Sequence, residues 1–321
     1  MLELSELFGK SKQAYYKYDE QHALMRAASR DFAVEYARGI REMDPGMGIA
    51  KIWDMYQKEF RFEEDILGRD AFSDLLVESG MKVRLKMRKP KTTDSSHGLP
   101  TFPNIIKDFI PTAPNQLWVS DITYITIWLP NGDYYFCYLS LILDSYSKEI
   151  VGWCVGDSLR TEYPLEALKM ALKRLDGKGH NLIHHSDRGT QYASSEYLRL
   201  LRDNDIRISM TETGDPKDNA QAERINNTMK NELLKGKTFT SMEEVIDAVA
   251  KAVEFYNNRR PHMSINNMTP VQAAACVGEI TKKWHSYRED AIRAKLDIPE
   301  KSLPLPCHQG SPSGHRPSVN P

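Results

Sequence analysis

From Gln116 onward the chain follows one order of elements: strand, strand, strand, helix, strand, helix, strand, helix. Gln116 to Trp128 is dominated by β-branched and aromatic residues, as strands are. Tyr134 to Leu143 (YYFCYLSLIL) is a near-continuous apolar run that predicts a central buried strand, and Glu149 to Gly156 the next. Leu165, Leu168, Leu172 and Leu175 recur as one helical stripe, Glu196 to Arg202 belongs to a second helix, and Ile206 to Met210 to a short strand. Three successive strands followed by helix-linked ones predict an α/β unit built on a mixed sheet.

Three carboxylates stand out against that pattern. Asp121 lies mid-strand with apolar flanks, where a carboxylate calls for a cation. Leu182 and Ile183 predict a short buried strand leading into His184-His185-Ser186-Asp187-Arg188-Gly189, with Asp187-Arg188-Gly189 as the loop at its carboxyl end, where open α/β sheets place their chemistry. Thirty-five residues, 188–222, then separate Asp187 from Glu223. Asp218 or Asn219 can cap a helix in which Ala222, Ile225, Met229 and Leu233 share an apolar stripe and Asn219, Asn226, Asn227 and Lys230 cluster around the direction of Glu223. Asp144 in Asp144-Ser145-Tyr146-Ser147 reads as turn chemistry, and His184 and His185 as structural residues at a strand end.

Five separated motifs carry a family resemblance in the same order: NQLWVSDITYI (115–125), LILDSYSKEIVGW (141–153), IHHSDRGTQY (183–192), DNAQAE (218–223) and FYNNRRPH (255–262). The chain resembles the integrase-core (DDE) transposases of bacterial insertion sequences, specifically the second-reading-frame protein of the group named after insertion sequence three. That resemblance implies a ribonuclease H-like integrase catalytic core, a mixed five-stranded sheet flanked by helices, preceded by a small all-α helix-turn-helix-like domain. It implies a polynucleotidyl transferase that cleaves transposon ends and transfers the 3′-hydroxyl into DNA. Asp121, Asp187 and Glu223 would be the catalytic set and hold two divalent ions, Mg²⁺ or Mn²⁺, which suit hard oxygen ligands. The implied partners are transposon-end and target DNA, further copies of the chain on that DNA, and the product of an upstream reading frame, usually as a fusion. Asp215 and Lys217 depart from the family, which more often has Asn and an aromatic there. The expected DNA contacts are Lys230, Asn227 and Asn226 on the Glu223 face, with Arg259 and Arg260 at the basic end of a later helix. A ribonuclease H-like nuclease without joining activity, or a DNA-binding regulator with an inactive core, are the alternatives.

The remaining features set organisation. The expected parts are a helical region over 1–91 ending in a basic run, a Pro-punctuated linker over 92–115, the core over 116–275, a C-terminal helix over 276–298 anchored by Trp284, and a disordered Pro/Ser/Gly-rich tail over 299–321. Residues 1–80 hold 11 Lys and Arg against 16 Asp and Glu, so phosphate binding is left to the run at 81–91, six positive charges and no negative one. Scattered cysteines without a Cys-x-x-Cys pair argue against a zinc module, and the net charge of −1 confines any DNA contact to local patches. No run approaches the ~20 apolar residues of a membrane span, so the chain is expected to be cytoplasmic.

Overall fold

The computed structural model describes residues 20–61, 66–82, 98–175, 177, 179, 181–212 and 216–295. The expected basic run beyond Lys82, the middle of the 211–217 loop and the tail from Pro299 lie outside them. The chain divides into two units, Met1–Lys89 and Pro90–Pro321.

The first unit contains three described helices, α1 (Glu20–Met43), α2 (Ile49–Phe60) and α3 (Arg69–Glu78). Its core holds an aromatic cluster: Tyr56, fully buried on α2, meets Phe72 of α3 at 4.9 Å and Tyr36 of α1 at 5.5 Å between ring centroids. Gly80 closes α3 in the left-handed conformation (φ 73°), with Met81 N–H donating back to Leu76 O, as a C′ glycine should.

The second unit is organised by a five-stranded sheet of order β3-β2-β1-β4-β5, comprising β1 (Leu117–Trp128), β2 (Tyr134–Asp144), β3 (Ile150–Gly156), β4 (Ile183–Ser186) and β5 (Arg207–Met210). β1, β2 and β3 pair antiparallel, whereas β4 runs parallel to both β1 and β5, giving the ribonuclease H-like arrangement. One face is covered by α4 (Glu162–Leu172) and α5 (Ser195–Asp203), which bury Trp118, Ile142, Leu168, Tyr197 and Leu201 in a single cluster. Gly152 sets how closely α4 lies on β3, because a Cβ there would stand 2.1 Å from the Ala167 carbonyl oxygen. Downstream follow α6 (Ala220–Thr228), α7 (Met242–Asn258), α8 (Pro270–Ala274) and α9 (Tyr287–Lys295).

Three local expectations meet a different outcome. Residues 98–115, expected as linker, pack on the core: Ile106 is buried, Phe102 lies against the main cluster, and Ile105 N–H donates to Ser209 Oγ at 3.1 Å. Trp284 precedes α9 and is largely exposed, and the buried residue of that helix is Ile292. The helical wheel used for Lys230 assumes 100° per residue, but α6 gives way at Met229 to a π-helical turn, Met229–Leu233, which shifts every later position.

Candidate active site

Asp121 and Asp187 are brought side by side by strand pairing. The last parallel partners of β1 and β4 are Val119 and His185, so Asp121 and Asp187 each lie two residues beyond the same rung. Asp187 sits one residue past the end of β4, and its Oδ1 accepts the Gly189 N–H at 2.9 Å. The fit at Gly189 is tight, since a Cβ there would stand 3.0 Å from both Asp187 Oδ1 and Gln191 Oε1.

Burial first, and the neighbouring Asp187 charge second, push the Asp121 carboxyl up to about 7. Two hydrogen bonds oppose that: Oδ1 accepts the Ile122 N–H at 2.9 Å, and Oδ2 accepts Asn226 Nδ2 at 2.8 Å. Glu223, in the first turn of α6, adds a weaker repulsion in the same direction as Asp187. α6 is pinned to the strand it faces, because Asn219 Nδ2 donates to the Ser120 carbonyl at 2.9 Å. That bond replaces the expected cap: Asn219 makes no side-chain cap bond, and Pro216–Asn219 forms a 3₁₀ turn ahead of the helix. The start of α6 is held from its other side by Gln221, whose Oε1 accepts from Ser145 Oγ at 3.0 Å and Lys148 Nζ at 2.7 Å.

The flanking histidines are structural. His184 Nε2 lies 2.8 Å from Ser120 Oγ and 2.9 Å from Tyr197 OH, and burial pushes it down to about 3. His185 Nε2 faces the Asp218 carbonyl at 2.9 Å, an acceptor only, so Nε2 carries the proton and Nδ1 accepts from Ser209 Oγ at 2.8 Å. Burial holds this ring down at about 4, and both imidazoles are therefore neutral at pH 7. Asp144 is consumed by its turn, accepting from Asn115 N, Tyr146 N, Ser147 N and Ser147 Oγ within 3.1 Å.

Among the described residues, no three acidic, histidine or cysteine side chains already stand as a closed metal cage. The donor chemistry nevertheless fits a hard cation: two adjacent carboxylates in mutual repulsion, a third from a helix, and the Asn226 Oδ1 buried without a hydrogen-bond partner beside them.

Models of the integrase core domain match residues 111–216 and 204–270. The chain is 34% identical over 275 residues to the insertion element IS600 uncharacterized 31 kDa protein of Shigella sonnei, covering 83% of this chain and 96% of that one. It is 33% identical over 226 residues to the transposase for insertion sequence element IS629 of the same organism, covering 70% and 73%. The chain belongs to the integrase-core transposases of insertion sequences. Its similarity to the transposase InsF for insertion sequence IS3A of Escherichia coli strain K12, 32% over 199 residues covering 61% and 67%, places it with the IS3 group.

Within this transposase, the residues expected to touch DNA separate into two groups. Lys230 reaches back over Tyr124 of β1, its Nζ 3.7 Å from the ring centroid, while Asn227 and Arg259 are exposed. Asn226 and Arg260 are corrections. Asn226 is buried and holds Asp121, so it offers no surface to a phosphate. Arg260 is buried and spends its guanidinium on Glu232, with Nε and an Nη at 2.7 and 3.0 Å from the two carboxylate oxygens. The positioning roles of Asn219 and Asn226 were legible only in part: both fall on the Glu223 face of the wheel, but only the structure shows that this face meets β1.

Proposed function

We propose that this transposase cuts the phosphodiester at a transposon end and joins the freed 3′-hydroxyl to a second DNA phosphate. In the first step water attacks phosphorus, the 3′ oxygen leaves, and a 3′-hydroxyl and a 5′-phosphate result. In the second that hydroxyl is the nucleophile and the bridging oxygen of the target strand leaves. Asp121 and Asp187 would hold two divalent ions, Mg²⁺ or Mn²⁺, and Glu223 would complete the ligand set from α6. When bound, the ions supply activation of the attacking oxygen and stabilisation of the leaving one.

What supports this reading most is the shared rung that sets Asp121 beside Asp187, with the Glu223 helix tied to the same strand through Asn219 and Asn226. Asn226 orients one Asp121 oxygen, which leaves the proton-bearing tendency of the carboxyl to be overcome by a cation, so loading the site releases protons near neutral pH. Lys230, Asn227 and Arg259 contribute phosphate contacts, and further copies of the chain assemble on the DNA. The upstream reading-frame product, as a fusion, supplies end recognition, and the reaction takes place in the cytoplasm.

Near-isosteric amides test the ligand set. Asp121→Asn, Asp187→Asn and Glu223→Gln should each remove cleavage and joining together while DNA binding persists. A wild-type rate in Mg²⁺ from any of the three would remove that residue from the set.

A further inference from the structure

His185 is no ligand, yet its ring reaches the turn that carries the third carboxylate into place. Side chains alternate along β4, so His184 meets Ser120 and Tyr197 of α5 on one face of the sheet, while His185 faces the other, with Asp187 next on that side. Its Nε2 lies 2.9 Å from the Asp218 carbonyl oxygen, in the 3₁₀ turn Pro216–Asn219 that leads into α6. Its Nδ1 lies 2.8 Å from the Oγ of Ser209, its partner in the β4–β5 register. Ser209 Oγ in turn accepts the Ile105 N–H at 3.1 Å, and the Pro103 carbonyl, at 3.4 Å, is a more distant acceptor for the hydroxyl proton than Nδ1. The hydrogen bonds therefore run in one direction, from Ile105 N–H to Ser209, from Ser209 O–H to Nδ1, and from Nε2–H to Asp218. The opposite tautomer would set a bare Nε2 lone pair against the carbonyl oxygen.

Each tie on α6 and its entry comes from a different part of the sheet. Asn219 and Asn226 join it to β1, which carries Asp121, and Gln221 joins it to the turn between β2 and β3. His185 joins it to β4, two residues before Asp187. Because the shared rung already fixes Asp121 to Asp187, the bond from His185 closes a triangle among the three carboxylates. Glu223 lies in the first turn of α6, so a shift of the turn at Asp218 moves its carboxylate as well. We propose that His185 is a positioning residue for Glu223: its Nε2–H holds the turn ahead of α6 against β4, so that Glu223 and Asp187 can serve one site, and Ser209 fixes the tautomer that does this. The proposal rests on the ligand set given above.

The test uses the full-length protein and three variants. His185→Leu removes both ring nitrogens, His185→Gln keeps an N–H donor for Asp218, and Ser209→Ala removes only the hydroxyl that fixes the tautomer. Mg²⁺ affinity, read by calorimetry, should fall about 10–100-fold in His185→Leu, fall less in Ser209→Ala, and stay within about twofold of wild type in His185→Gln. In a Glu223→Gln background His185→Leu should cost no more than about twofold further, because the group it positions is already gone. Where Glu223→Gln itself loses affinity, equal losses from His185→Leu in the two backgrounds overturn the proposal, as does wild-type affinity in His185→Leu. Hydrogen exchange in EDTA gives a second readout: the amides of residues 224–228 in α6 should exchange faster in His185→Leu and at the wild-type rate in His185→Gln, with α4 unchanged in both. Faster exchange in α4 as well marks a general packing defect and overturns the proposal. If Glu223→Gln binds Mg²⁺ as tightly as wild type, Glu223 leaves the ligand set, and the exchange at α6 supports or overturns the tie from His185 independently.

Discussion

Replacing Asp121 with Asn should stabilise the metal-free protein at pH 8 while abolishing its chemistry. The Asp121 carboxyl is raised from 3.8 to about 7, with desolvation the larger cause and the Asp187 charge the next. A raised carboxyl binds its proton more tightly folded than unfolded, so its contribution is unharmed below about pH 4, erodes as pH climbs toward 7, and is fully lost above. About three units at about 1.4 kcal/mol each give about 4 kcal/mol as an upper bound, and nearer 2 because Asp121 keeps part of its surface in water. The amide removes that penalty and can still accept from Asn226. His184 and His185, pushed down to about 3 and about 4, act oppositely between those values and about 6.5, so the wild-type profile alone is a composite. The difference between wild type and Asp121→Asn isolates the carboxylate. Urea unfolding in EDTA from pH 4 to 9 measures it, followed by tryptophan fluorescence, since Trp118, Trp128, Trp153 and Trp284 all lie in the second unit. The variant should match wild type near pH 4 and exceed it increasingly up to pH 7, and Mg²⁺ should stabilise only the wild type. A pH-independent difference, or a variant weaker than wild type at pH 8, refutes the reasoning.

Other outcomes follow from single contacts. Asn226→Ala removes the Nδ2 donor to Asp121 and should lower Mg²⁺ affinity, read by calorimetry, about 10–100-fold, as loss of an outer partner to a metal ligand typically does. Arg260→Ala removes a buried guanidinium from the partly buried Glu232 and should cost about 3 kcal/mol in unfolding, yet leave the slope of log affinity for DNA against log salt unchanged. Lys230→Ala should instead lower that slope by about one with little effect on stability. Gly152→Ala drives a Cβ into the Ala167 carbonyl and should cost about 3 kcal/mol or more, seen in the melting temperature of the second unit.

Much of this fold could be read from residue patterns because its central strands are distinctive. Leu139, Leu141 and Ile142 are buried as the apolar run of β2 predicts, and Ala222, Ile225, Met229 and Leu233 are buried as one stripe. The three carboxylates were visible as residues, but the adjacency of Asp121 and Asp187 was not, since it depends on parallel register between β1 and β4, strands more than fifty residues apart in sequence. The misplacements have local causes. A polar helix face seemed to point to DNA, yet Asn219 and Asn226 use it to bind β1, because a buried strand carrying Asp121 needs donors. Arg260 seemed part of a basic terminus, but its partner Glu232 lies 28 residues away, beyond the reach of any helical wheel. The Pro-punctuated stretch before Gln116 looked like linker because its apolar residues, Phe102 and Ile106, lack periodicity; they are placed individually against the sheet unit.

The central claim is that one site both cuts and joins DNA. Purified protein should be incubated with labelled transposon-end DNA and Mg²⁺ or Mn²⁺, and the products resolved on denaturing gels. The account predicts 3′-nicked ends together with covalently joined strands, both absent in EDTA and in Glu223→Gln. Nicked ends that never join, under conditions where the end is bound and cut, would contradict it and leave a nuclease on the same fold.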